Sequence, residues 1–443
     1  MTIYALSSSP GLSGVAVIRI SGSEAEKIIL SLTNKTLPSP RVATLRKIIN
    51  SNSNELIDEG IVIWFPGPNS YTGEDMAEFH VHGSKAVIQA VLDNISKIEN
   101  CRLAEAGEFT KKAFYNEKIN LLKAEGIGDL IASETEIQRK QAIKIMSGKN
   151  SDKFNSWREI LLKTLSNLEA KIDFPEEDLP IDILKNIQKD IEIVRSEIKQ
   201  TLNDSKVGER IREGFKIAIL GPTNVGKSSL LNYFSNREVA IVSEIAGTTR
   251  DIIEVHLNID GFPVVMSDTA GIRSSEDEIE KKGIKLALKK AENADLNIIV
   301  MEPKSIDFTD FLNDKISKKA ILVINKMDLG IDQINNEVKK YDPIWISIKE
   351  EKNLDKLIKT IKDNLKNKFI SSDDIYITRK RHRNNLEKCI EHLKHFEEKK
   401  SIEDFDKAAE DLRLATRYLG IIVGKVDVEE ILGSIFNDFC IGK

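Results

Sequence analysis

Phe215-Lys216-Ile217-Ala218-Ile219-Leu220-Gly221-Pro222-Thr223-Asn224-Val225-Gly226-Lys227-Ser228 decides the fold. The first six residues are an apolar run that reads as a strand, and the next eight form a complete phosphate-binding loop. This order sets a glycine-rich turn at a sheet edge and opens the following helix with Lys227 and Ser228. Backbone N–H groups, the helix dipole and one ammonium then converge on β and γ phosphates. The implied ligand is a nucleoside triphosphate with magnesium.

Three later segments narrow the ligand. Asp268-Thr269-Ala270-Gly271 follows the strand Val264-Val265-Met266, which places a carboxylate near magnesium and a mobile glycine N–H near the γ phosphate. Asn325-Lys326-Met327-Asp328 follows Ile321-Leu322-Val323-Ile324, and Asp328 there can accept both guanine N1–H and N2–H. Adenine has no matching pair of donors and would leave a carboxylate oxygen unpaired. Ser347-Ile348-Lys349 follows Pro343-Ile344-Trp345-Ile346, where a backbone N–H can reach guanine O6.

The module around these segments is one part of a larger chain. At about 150 residues per domain, 443 residues suggest two to four domains. Residues 1–118 carry short alternating strands with helices near 23–32 and 84–98, an α+β pattern. Residues 119–210 turn to long amphipathic periodicity broken at Phe174-Pro175-Glu176-Glu177, and 371–443 return to it. Between them, 214–370 alternate strands and helices at doubly wound spacing, with strands at Gly261–Met266, Leu296–Met301, Ala320–Ile324 and Ile344–Ser347. The expected architecture is multidomain: an α+β N-terminal domain, an all-α helical domain, and an α/β P-loop domain inserted into the helical one, since insertion at a surface site costs little.

A net charge of −5 argues against wholesale capture of nucleic acid but leaves room for a local basic site. No apolar run reaches the ~18 residues that span a bilayer, and the start reads as a strand rather than a signal peptide. Cys101, Cys389 and Cys440 are too few and scattered for a disulfide framework or a cysteine zinc site, which fits a reducing cytoplasm.

With the four guanine-site segments, the loop Ser243-Glu244-Ile245-Ala246-Gly247-Thr248-Thr249-Arg250-Asp251 and the terminal Phe439-Cys440-Ile441-Gly442-Lys443 make the resemblance specific. Over essentially its whole length the chain resembles the bacterial tRNA uridine-34 modification GTPases, also called thiophene and furan oxidation proteins, of the TrmE-Era-EngA-like superfamily. The resemblance implies a potassium-stimulated GTP hydrolase that binds GTP and GDP. It further implies a homodimer that forms a heterotetramer with an FAD-dependent subunit. Together they add a carboxymethylaminomethyl or aminomethyl group to C5 of the wobble uridine of certain tRNAs. GTP hydrolysis in that picture drives domain rearrangement and does not form the C5–carbon bond. A ribosome-assembly or regulatory GTPase whose flanking domains are binding modules is the alternative reading.

One position directs the expected mechanism. After Asp268-Thr269-Ala270-Gly271, where many small GTPases carry a water-orienting glutamine, stands Ile272, which neither donates nor accepts a hydrogen bond. Asn224 offers an amide oxygen to a monovalent cation, with carbonyls of Ser243–Thr248 able to complete an oxygen cage. By resemblance, Asn224, Ser243, Ile245 and Thr248 hold K+, Ser228 and Thr249 hold Mg2+, and Glu280 orients the attacking water indirectly, with Lys227 the other catalytic group. Gly221, Val225, Gly226, Ser229, Asp268, Thr269, Ala270, Gly271, Asn325, Lys326, Asp328 and Ser347 complete the nucleotide contacts. Two plainer readings stay open: Glu280 as a solvated charge in an acidic run, and Asn224 as a loop residue capping its own backbone.

Pro66 to Asp75 is too turn-rich for a core element, and Glu78, His80 and His82 beyond it can share one face of a strand. Two histidines at that spacing lack a local third ligand, so polar residues near a small-molecule cleft are favoured over zinc. The resemblance implies a folate pocket for 5-formyltetrahydrofolate or methylenetetrahydrofolate, with Arg19, Glu78, Lys118 and Lys443 at the matching positions. A carboxylate suits the adjacent donors of a pterin, and cations suit a glutamate tail. Cys440 reads as a buried small hydrophobe before a nucleophile. The basic cluster Arg379-Lys380-Arg381-His382-Arg383 opposes the dipole of the helix it opens, so it needs a reason to be there; tRNA phosphates are one, a solvated helix start the other.

Overall fold

The computed structural model describes residues 1–173, 183–203, 205–236, 254–268, 289–303, 320–330, 341–369, 377–399, 405–426, 432–433, 435–436 and 439–442. The chain forms two compact units: Met1–Gly128, Ile145–Val194 and Lys388–Lys443 make one, Asp129–Lys144 and Arg195–Glu387 the other. The chain thus leaves the first unit and returns to it, as an insertion requires.

The first unit begins with six strands: β1 (Thr2–Leu6), β2 (Ser13–Ser21), β3 (Thr44–Ile49), β4 (Leu56–Phe65), β5 (Met76–Gly83) and β6 (Cys101–Leu103). They run in the order β3-β4-β5-β2-β1-β6, with only the β1–β6 pair parallel. Side chains alternate across the sheet. Ala16, Ile18 and Ile20 of β2 and Ala77, Phe79 and Val81 of β5 share a core with α1 (Ala25–Thr33) and α2 (Lys85–Ser96). Ser84 caps α2 by accepting Val87 N–H at 3.2 Å. The opposite face carries Arg19, Glu78 and His80, and part of it is closed by Ile3, Ala5, Met76 and Phe109, the last from α3 (Glu108–Tyr115). Residues 439–442 add to this unit: Ile441 bridges Ala106, and Ser7 Oγ donates to Gly442 O at 2.8 Å. A Cβ at Gly442 would sit 2.3 Å from Leu6 O, so only glycine fits that approach.

The helical elements of the chain follow: α4 (Leu121–Ile131), α5 (Glu136–Met146), α6 (Lys149–Asp173), α7 (Ile183–Asn203) and α8 (Ser205–Glu213). The expected break at Phe174–Glu177 lies outside the described residues.

The second unit holds β7 (Phe215–Leu220), α9 (Lys227–Ser235), β8 (Glu254–Ile259), β9 (Phe262–Asp268), β10 (Leu296–Met301), β11 (Ala320–Ile324), β12 (Ile344–Trp345) and α10 (Leu354–Phe369). The sheet order is β12-β11-β10-β7-β9-β8, parallel except for β8. A parallel sheet covered on both faces needs continuous apolar strands, and all six residues of β10 are buried. Several boundaries differ from the sequence expectation; β9, for one, runs over Phe262–Asp268 and not Gly261–Met266. The last strand stops at Trp345 instead of Ser347, because Ser347 exchanges backbone hydrogen bonds with Lys352. The core also reaches past residues 214–370, taking in Val207 and Ile211 of α8, while Gln141 of α5 donates to Gly208 O at 2.9 Å.

The chain closes with α11 (Lys380–Glu398) and α12 (Phe405–Val423), the latter packed along α6.

Phe79 is fully buried between the sheet and α1 and α2. We expect Phe79→Ala to destabilise the N-terminal sheet by about 3–5 kcal/mol. Urea unfolding followed at Trp64, with Trp157 and Trp345 replaced by Phe, should show the loss; an unchanged midpoint would contradict this packing.

Candidate functional site

The carboxyl ends of β7, β9, β10 and β11 meet along one edge, where an open α/β sheet binds ligands. β7 ends at Leu220, and Gly221 turns with φ 143° so close to β10 that a Cβ would lie 2.1 Å from Val300 O. Gly226, at φ 99°, starts α9 and would drive a Cβ to 2.3 Å from Asn325 Nδ2. Both glycines are therefore required by close approach as well as by dihedral angle. Lys227 is buried, 6% exposed, and its Nζ reaches back to Pro222 O at 2.6 Å. The ammonium is held across the loop, where a phosphate oxygen can replace the carbonyl. Ser228 and Ser229 are exposed at the helix start, the position from which a hydroxyl meets magnesium. The β7–β9 register pairs Ile219 with Asp268, so the backbone of Asp268 ends beside the loop.

Asn224 is exposed, with φ 64°. Its carbonyl accepts Lys326 Nζ at 2.7 Å, whereas its side-chain amide takes no hydrogen bond among the described residues. It does not cap its own backbone. Lys326, itself at φ 62°, also pairs with Glu302.

Asn325 ties three loops together. It is 4% exposed; its Nδ2 donates to Val225 O at 2.8 Å, and its Oδ1 accepts Ile348 N–H at 3.2 Å. Asp328 stands in a short 3-10 turn, Met327–Leu329, where Ser347 Oγ donates to Asp328 Oδ1 at 2.7 Å. That hydroxyl holds the Asp328 carboxyl below its usual range, with smaller help from Lys349 and Lys352. Ser347 N–H is taken by Lys352 O and Ile348 N–H by Asn325, so Lys349 supplies the N–H of this triplet that makes no hydrogen bond among the described residues. Ser347, expected among the nucleotide contacts, donates its hydroxyl to Asp328 and so orients that carboxylate. Glu302, which no motif signals, is a further member of the site through Lys326.

Ser243, Ile245, Thr248, Thr249, Thr269, Ala270, Gly271, Glu280 and Lys443 lie outside the described residues, and of Asp268 only the backbone is described.

In the first unit, Arg19 and Glu78 are directly paired across β2 and β5. Arg19 donates to Glu78 Oε1 from Nε at 3.0 Å and from a terminal nitrogen at 2.8 Å. His80 Nε2 lies 3.2 Å from Glu78 Oε2, and the Arg19 guanidinium sits 5.9 Å from the Tyr71 ring and 5.8 Å from Phe109. Arg19 also points a nitrogen at Gly442 O, 3.5 Å away. Burial raises the Tyr71 hydroxyl above its usual range, against the opposing effects of Thr110 and Arg19. His82 turns instead to Asp58, at 2.8 Å. Lys118 is exposed beside Gly73, where a Cβ would lie 2.8 Å from Lys118 Cε. Cys440 is exposed, contrary to its reading as a buried small hydrophobe: of residues 439–442 it is Phe439 and Gly442 that are buried, while Cys440 and Ile441 face outward.

The basic cluster has a structural reason. Arg379 and Arg212 both donate to Asp129 Oδ1, at 2.7 and 2.9 Å, and Arg383 pairs with Glu209. His382 is 1% exposed. Arg379 and Arg383 are thus answered by carboxylates of their own unit, and Lys380 is exposed.

The fold and site define a P-loop guanine-nucleotide-binding domain of the GTPase class, inserted into a longer chain. Comparison with known proteins agrees. A model of the MnmE helical domain matches residues 121–440, and one of the GTP-binding protein TrmE N-terminus matches residues 2–118. The chain is 70% identical over 443 residues to the tRNA modification GTPase MnmE of Pelagibacter ubique (strain HTCC1062), covering all of both chains. It is 45% identical over 446 residues to the protein of the same name from Rickettsia bellii (strain RML369-C), again over the full length of both. The chain belongs to the MnmE family of tRNA modification GTPases.

Removing the Asn325 amide leaves Val225 O and Ile348 N–H without their shared partner in a buried place. We expect Asn325→Ala to weaken GDP binding by about 10- to 100-fold, as a cost of ~1–3 kcal/mol implies, without unfolding the chain. Titration with a fluorescent GDP analogue measures it, and wild-type affinity would contradict the tie.

Proposed function

We propose that the chain hydrolyses GTP and, through that hydrolysis, serves the modification of wobble uridine 34 in tRNA. The observation that carries the reading is the Asn325 tie: it joins the phosphate loop to a guanine pocket whose carboxylate is oriented by Ser347, within a chain that matches its relatives from end to end. The group added is carboxymethylaminomethyl or aminomethyl, and the redox chemistry belongs to an FAD-dependent subunit assembled with a homodimer of this chain in a heterotetramer, in the cytoplasm.

Lys227 would neutralise charge on the phosphate oxygens, and Ser228 with Thr249 would hold Mg2+. K+ would be held by the Asn224 amide oxygen with Ser243, Ile245 and Thr248. The ion would supply the positive charge that Ile272 cannot. An exposed amide with no hydrogen bond among the described residues, held outward by a backbone at φ 64°, supports this use of Asn224. Glu280 orients the attacking water indirectly. Guanine is read by Asp328, with Lys349 N–H directed to O6.

Arg19 and Glu78, with Lys118 and Lys443, would bind 5-formyltetrahydrofolate or methylenetetrahydrofolate as the one-carbon source. Arg19, engaged with Glu78 Oε1, orients that carboxylate toward pterin donors, and the exposed Lys118 is left for the glutamate tail.

GTP hydrolysis should rise sharply when potassium replaces sodium at matched ionic strength, and Asn224→Ala should erase the difference; equal wild-type rates in both salts would sink the cation assignment. Mass analysis of tRNA from cells lacking this protein should show wobble uridines without the C5 substituent. An unchanged profile together with ribosomal co-sedimentation would favour an assembly GTPase instead.

A further inference from the structure

Away from both sites, α11 and α12 bring together a set of metal-ligating side chains that neither guanine binding nor folate binding uses. His392 and His395 are three residues apart on α11, which places both rings on one face. Asp411 faces them from α12, and the three ligand atoms lie within 4.8 Å of one another. His392 Nδ1 is 3.0 Å and His395 Nδ1 4.0 Å from the same oxygen, Asp411 Oδ1. Zinc bonds of ~2.0–2.2 Å in a tetrahedron hold ligand atoms about 3.4 Å apart. The two separations from Asp411 Oδ1 bracket that value and the third lies within 4.8 Å, so small side-chain rotations close a three-ligand shell.

The surroundings hold these donors in place. The His392 ring stacks on Tyr418 at 5.7 Å with a 17° interplanar angle, and the Lys388 ammonium lies 5.2 Å from the other ring of that stack, Tyr418. Asp411 is 6% exposed, and its second oxygen, Oδ2, receives Lys399. Burial opposes charge on the Asp411 carboxyl, but Lys399 and His392 outweigh it and hold the group below its usual range. Lys399 holds Oδ2 and leaves Oδ1 turned to the two imidazoles, but its unit charge also opposes a cation on the same carboxylate. Charge balance alone does not account for His395. Lys399 and His392 already satisfy Asp411, and 4.0 Å is too long for a hydrogen bond. The His395 side chain is 47% exposed, so the vertex next to it opens to solvent.

We propose that His392 Nδ1, His395 Nδ1 and Asp411 Oδ1 bind one Zn2+ ion, with water at the fourth position. The ion joins α11 to α12. Lys399 weakens the site by holding positive charge next to the same carboxylate.

The test uses the full chain stripped with chelator and saturated with magnesium and GDP, so that the nucleotide site is filled. Equilibrium dialysis against Zn2+ with elemental analysis should give one ion per chain, and Co2+ should give the visible absorption of a four-coordinate nitrogen-oxygen site. Asp411→Asn, close in shape at a buried position, and His395→Ala, at a half-exposed one, should each abolish the stoichiometric ion while keeping the far-ultraviolet circular dichroism and GDP binding of the wild type. Lys399→Met should tighten Zn2+ by about tenfold through loss of one nearby unit charge. His80→Ala with His82→Ala should leave binding unchanged. Absence of a stoichiometric ion in the wild type, or its persistence in His395→Ala and Asp411→Asn, overturns the proposal. Zn2+ binding unaltered or weakened in Lys399→Met also counts against the site as drawn.

Discussion

The nucleotide unit depends on how one buried carboxamide is shared. Asn325 leaves the end of β11, donates into the phosphate loop at Val225 O and accepts from Ile348 in the loop after β12. A planar amide with a donor at one corner and an acceptor at the other can make both contacts only in one orientation. Phosphate loop and base-recognition loops are therefore positioned together. The surrounding details follow from that fixed point. Gly226 must lack a Cβ because Asn325 Nδ2 occupies the space, and Lys326, the next residue, is turned back to Asn224 O and Glu302. Ser347 then sets the Asp328 carboxylate from the other side.

A different constraint shapes the N-terminal sheet. Both of its faces are used, one as a core against α1 and α2, the other as a surface on which charged groups meet. Period-two alternation puts Phe79 on the first face and Glu78 and His80 on the second, and the antiparallel register sets Arg19 opposite Glu78. Two aromatic rings lie about the guanidinium, which lowers the local dielectric and strengthens the pair beyond what an exposed ion pair contributes. The chain terminus closes the arrangement, since Gly442 approaches Leu6 O within the space of a missing Cβ and brings its own carbonyl toward Arg19.

Three carboxylates of the helical elements gather nearby cations. Asp129 receives two arginines, Glu209 another, and Asp411 a lysine and an imidazole. A run of basic residues at a helix start is costly against the dipole unless carboxylates face it, and here they do. Counting charges along the chain overstates the field that reaches solvent.

The sequence alone determined the nucleotide fold, because its evidence is local: strand, glycine turn and helix are contiguous, and each guanine-site segment directly follows an apolar strand. The same holds for strand alternation in the first 118 residues, where the period of side chains is a property of the backbone. Tertiary structure decided what depends on residues far apart in sequence. That Ser347 serves Asp328, that Arg379 and Arg212 converge on Asp129, and that Cys440 faces outward are set by pairings across 19, 250, 83 and more than 300 positions. No periodicity encodes such meetings. The grouping of His392 and His395 with Asp411 is of the same kind, for it exists only once α12 lies against α11 and sets a carboxylate opposite two imidazoles one helical turn apart.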